Sequence, residues 1–75
     1  MTEKEILTIF ENYDNRLLEY AKLLTKLKQA NKLGDINKFK YAIELKAQIQ
    51  VYRKLIKDLG IEKEIDELFY QREIE

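Results

Sequence analysis

Cysteine, histidine, proline, serine and tryptophan are all missing from the 75 residues, and there are only two glycines. Each absence removes a class of chemistry. Without cysteine there is no disulfide framework, no thiol nucleophile and no thiolate metal site. Without histidine the usual general base and the commonest transition-metal ligand are gone. Catalysis would have to rest on carboxylates, lysine, arginine, tyrosine or threonine. Long apolar runs are missing too: none approaches the ~20 residues of a membrane-spanning helix. The opening residues Met1-Thr2-Glu3-Lys4-Glu5 lack the basic start and apolar core of a signal peptide. These absences lead us to expect a cytoplasmic, non-enzymatic protein with no cofactor, metal or membrane contact.

What is present is charge and aliphatic bulk. Charged residues make up 37% of the chain and hydrophobic ones 45%, with enough Leu and Ile to build a core rather than a disordered tail. The apolar residues are periodic. Ile6, Phe10, Tyr13, Leu17, Tyr20, Leu24 and Leu27 alternate spacings of four and three, the a/d pattern of a helix that buries one stripe. Thr2 followed by Glu5 has the form of a capping box. Leu33-Gly34 ends this pattern in the manner of a glycine C-cap, which predicts a first helix over about 3–33. A turn at 34–35 follows, with Asp35 as N-cap of the next helix and Asn37 as the alternative.

A second stripe, Ala42, Leu45, Ile49, Tyr52, Ile56 and Leu59, has the same spacing and stops at Gly60, which predicts a helix over about 36–59. So short a connection makes the two helices antiparallel neighbours. Ile61, Ile65, Leu68 and Phe69 indicate a short third helix over about 62–73. No capping residue precedes it, so the alternative is a second helix that continues through Gly60 with a bend. The expected fold is all-α: an antiparallel helical hairpin plus a short C-terminal helix, in a single domain over residues 1–75. A two-helix hairpin of this size rarely buries enough surface to offset its ordering entropy. Dimerisation into a helical bundle is the expected completion.

Helix 2 carries apolar residues outside its stripe, which points to a second contact surface. Phe39, Ile43, Val51 and Leu55, together with Phe69 and Tyr70 near the C-terminus, are the candidate protein interface. The competing reading is that the third helix packs over this whole surface, including the apolar surplus of helix 2.

The net charge is zero but unevenly spread. Residues 1–19 carry −3, residues 20–58 carry +7 and residues 59–75 carry −4. The hairpin sets Arg53, Lys54 and Lys57 beside Glu3, Glu5, Glu11 and Asp14, where they can compensate. It gathers Lys22, Lys26, Lys28, Lys32, Lys38 and Lys40 at the turn end as a basic patch. Part of this follows from lysine favouring helix C-termini. The functional alternative is contact with nucleic-acid phosphates, with Tyr41 nearby to stack on a base. The patch has no arginine, the usual reader of bases. A DNA-binding helix-turn-helix does not fit, because Asp35 and Lys40 occupy places that need apolar residues. Pairs such as Glu62 and Asp66 read as a solvated acidic face rather than a cation site. The leading expectation is a protein–protein interaction module, a homodimer with a further protein partner, and nucleic-acid binding is the alternative.

Overall fold

The structure, a computed structural model, describes residues 1–74; Glu75, the last residue of the expected domain, lies outside the described residues. It is all-helical, with no strand among the described residues. Helix α1 spans Glu3–Gln29, a 3-10 segment spans Leu33–Lys38, α2 spans Lys40–Leu59 and α3 spans Glu62–Ile74.

The first helix begins as its sequence predicts. The Thr2 hydroxyl accepts from the Glu5 backbone N–H at 3.2 Å and donates to the Glu5 carboxylate at 3.0 Å. The helix ends earlier than predicted. Asn31, not Gly34, takes the left-handed conformation, at φ 60°. The Lys32 N–H then reaches back to the Leu27 carbonyl at 2.7 Å. This is the six-to-one closure of a Schellman motif, with asparagine in the place usually held by glycine. Helix α2 closes the same way: Gly60 sits at φ 68° and the Ile61 N–H bonds to the Ile56 carbonyl at 3.2 Å.

The predicted two-residue turn at 34–35 is therefore replaced by a longer connection. Asp35 does not cap α2; it pairs with Lys38 at 3.3 Å within the 3-10 segment. The N-cap of α2 is Phe39, which makes no side-chain capping bond. The second helix accordingly starts at Lys40 rather than 36.

Both stripes turn inward, apart from their last member on α2. Phe10, Tyr13 and Leu27 on α1 and Ala42, Leu45, Ile49 and Ile56 on α2 are buried, whereas Leu59 stays exposed. Contacts that ascend α1 descend α2: the Arg53 guanidinium donates to the Tyr13 hydroxyl at 3.0 Å, and Tyr41 donates to Glu19 at 2.8 Å. The Arg16 guanidinium lies 5.5 Å from the Tyr52 ring centre, a cation–π geometry.

Helix α3 folds back rather than extending α2. Its Ile65 is buried, and Phe69 meets Phe10 edge-on at 4.8 Å and Tyr13 at 5.9 Å. Arg72 pairs with Asp14 and lies over the Phe69 ring. Asp14 is thus neutralised from α3, and Arg53 is used on the Tyr13 hydroxyl. No ion pair joins the acidic start of α1 to the basic end of α2 among the described residues, contrary to the charge pattern's expectation. The core formed here comprises Phe10, Tyr13, Ile49, Ile56, Ile61 and Ile65. It is one layer deep, and no side chain is sealed completely from solvent among the described residues.

Candidate interaction surface

The α2 sequence has more apolar positions than its inner stripe uses, and the structure shows where the surplus lies. Phe39, Ile43, Val51 and Leu55 are all exposed, Val51 at 66% and Ile43 at 53%. Tyr70 is exposed on α3. Phe69 differs from the other candidates, because its ring is engaged with Phe10 and Tyr13 in the core.

These α2 residues belong to a longer row. Phe39, Ile43, Ala47, Val51, Leu55 and Leu59 recur every four residues, are all apolar, and are all exposed. On a helix such i, i+4 rows stand out as ridges that pack into the grooves of a neighbour. The row drifts about 40° around the helix at each step. Ile43, Ala47, Val51 and Leu55 therefore face outward as one strip, with Phe39 and Leu59 at its two edges. Sequence reasoning placed Leu59 on the inner stripe and passed over Ala47. The uninterrupted spacing of four was the signal that would have found both.

The basic patch is less coherent than its members' proximity in sequence implies. Lys22, Lys26, Lys28, Lys32, Lys38 and Lys40 are all exposed. Lys22 and Lys26 flank Tyr41 beside Glu19 and Leu23. Lys28 lies two residues beyond Lys26, which turns it about 200° to the other side of α1. Lys38 is paired with Asp35, and Lys40 stands 4.0 Å from Glu44. The hydrogen bond to Glu19, followed by desolvation and the Glu19 charge, holds the Tyr41 hydroxyl above its ordinary pKa of 10.0.

Among the described residues no three acidic side chains converge as a metal site, and no helix is long and apolar enough to cross a membrane. Comparison with known proteins finds no family model, no curated protein and no solved structure that matches this chain.

Proposed function

We propose that the chain is a non-enzymatic helical interaction module: an antiparallel hairpin of α1 and α2, braced by α3, that associates with a protein chain through the outer face of α2. The observation that carries this reading is the continuous exposed apolar row on α2. Single exposed apolar residues are ordinary on protein surfaces, whereas a contiguous strip marks a place where another surface is covered. The first partner is a second copy, which supplies the burial that a core one layer deep lacks.

Sedimentation velocity across the micromolar range tests this reading. It predicts a concentration-dependent shift from monomer to dimer. A chain that stays monomeric at high micromolar concentration, and still unfolds cooperatively, contradicts it.

The second reading is nucleic-acid binding through the lysines around Tyr41, supported by the pairing of Lys22 and Lys26 with an exposed aromatic ring. It predicts salt-sensitive binding to single-stranded DNA or RNA that is lost when Lys22 and Lys26 are changed to Glu. No mobility shift at low salt removes it.

A further inference from the structure

We infer that α2 pairs with α2 of a second copy, antiparallel, about a two-fold axis opposite Ile49. This inference rests on the reading of the chain as an associating module and specifies the partner surface. Three independent observations carry it.

The first is the pattern of the exposed residues about Ile49. An antiparallel two-fold sets each residue opposite the one equally far on the other side of the centre. With the centre at Ile49, Ala47 meets Val51 of the second copy beside the axis, while Ile43 and Leu55, and further out Phe39 and Leu59, stand at matching levels on opposite flanks of that contact. Both flanks of the central Ala47–Val51 contact are then apolar. The row is therefore self-complementary, as an interface between identical chains requires.

The second is charge. Lys40 and Asp58 are equally far from Ile49 on opposite sides, and so are Glu44 and Lys54. Lys40 and Asp58 are 18 residues apart, five full turns, so both point along the middle of the outer face at opposite ends of the helix. In the antiparallel pair Lys40 of each copy meets Asp58 of the other. A parallel pair would set Lys40 against Lys40 and Asp58 against Asp58. In the single chain Lys40 has only a 4.0 Å contact with Glu44, and its side chain is 91% exposed.

The third is area. A compact monomer of 9.1 kDa exposes about 4,900 Å², whereas this chain exposes 6018 Å². The excess is about 1,100 Å², and a stable pairing buries about 800 Å² per partner. The radius of gyration of 14.2 Å, against about 11 Å for a compact domain of this length, likewise describes a molecule whose surface is in surplus. A second α2 covers that surplus along the full length of the helix. Ala47, next to the axis, lets the two backbones approach.

The test is sedimentation equilibrium on the whole chain and three variants. Each altered side chain is exposed, so circular dichroism and thermal unfolding at low concentration should match the parent. Val51→Glu buries an unpaired carboxylate next to the axis twice over and is expected to weaken dimerisation at least about 100-fold. Lys40→Asp sets a carboxylate against Asp58 of the second copy and is expected to weaken it about three- to tenfold. Adding Asp58→Lys to Lys40→Asp should restore the affinity to within about threefold. The two positions are about 27 Å apart on one helix, so such a rescue acts between chains. A dimer indifferent to Val51→Glu, or a charge swap without rescue, overturns the α2 pairing while association through another face stands. A strict monomer overturns the association itself.

Discussion

Where three helices meet, at the end of the molecule carrying the N-terminus, Phe10, Tyr13, Ile49, Ile56, Ile61 and Ile65 form a connected core, with Leu68 and Phe69 packed against it. At the turn end two helices and a 3-10 segment meet, and the buried residues are Leu27, Ala42 and Leu45. The same two stripes run through both ends. What differs is the third wall. Helix α3 has 13 residues, about 20 Å of helix, and covers only the first half of α1. Its presence turns a pair of stripes into a core, and its Arg72 also takes up the charge of Asp14. The turn end has no equivalent wall, and the lysines stay there in solvent. A stripe specifies which face goes inward, but a third element decides how deeply that face is buried.

Cavity-making substitutions should separate the two ends most widely. Ile65 and Leu45 are each 3% exposed, so burial alone predicts equal losses. We expect Ile65→Ala to cost about 3–4 kcal/mol, because it removes the residue that seats α3, and Leu45→Ala about 2 kcal/mol, because the thinner turn end can relax around the gap. Urea denaturation checks both, and equal losses would erase the distinction between the ends.

The two glycines give the next contrast. Gly60 holds φ 68° at the junction that sends α3 back, so Gly60→Ala should cost about 1 kcal/mol even though nothing lies within 4 Å of the added carbon. Gly34 has equal space and no positive φ. Gly34→Ala should therefore be neutral or stabilise by up to about 1 kcal/mol through the unfolded chain. Thermal unfolding of the two variants measures the difference, and a matching loss at Gly34 would contradict the backbone assignment.

The smallest effect lies at Tyr41 and Glu19, which tie the turn end together at the surface. The pKa of the Tyr41 hydroxyl is raised in the folded chain, chiefly by its hydrogen bond to Glu19. A raised folded value favours the protonated form. The stability it contributes is whole below the unfolded value and is lost as pH rises through the folded value. Glu19→Gln should bring the Tyr41 titration back towards 10.0, as read by ultraviolet difference titration against a Tyr41→Phe control. An unchanged titration would mean that the bond is not held in solution.

Much of this architecture was legible in the sequence, and the misreadings have physical causes. Alternating spacings of three and four identified both inner faces because helical periodicity is a property of the chain itself. The end of α1 was misplaced because Leu33-Gly34 has the same form as Leu59-Gly60. Yet the first stripe stops at Leu27, and its next position is Asn31, a residue that also tolerates the left-handed conformation. A polar residue at that place was a stop signal. Phe69 reads as an interface residue in the sequence because its core partners, Phe10 and Tyr13, are more than fifty residues away in the chain. The outer apolar row was visible residue by residue. Its continuity emerged only once the inner stripe had been separated from it.

The central claim, that a second copy lies antiparallel along the outer face of α2, is tested most directly by a distance. The chain has no cysteine, so Asp58→Cys gives one spin-label site per copy. At concentrations where the labelled chain itself sediments as a dimer, antiparallel pairing about Ile49 predicts a label separation near 27 Å, the axial span of 18 helical residues. A separation close to the interhelical spacing of about 10 Å means parallel helices, and the absence of any dipolar coupling means that α2 does not pair; either result contradicts the account.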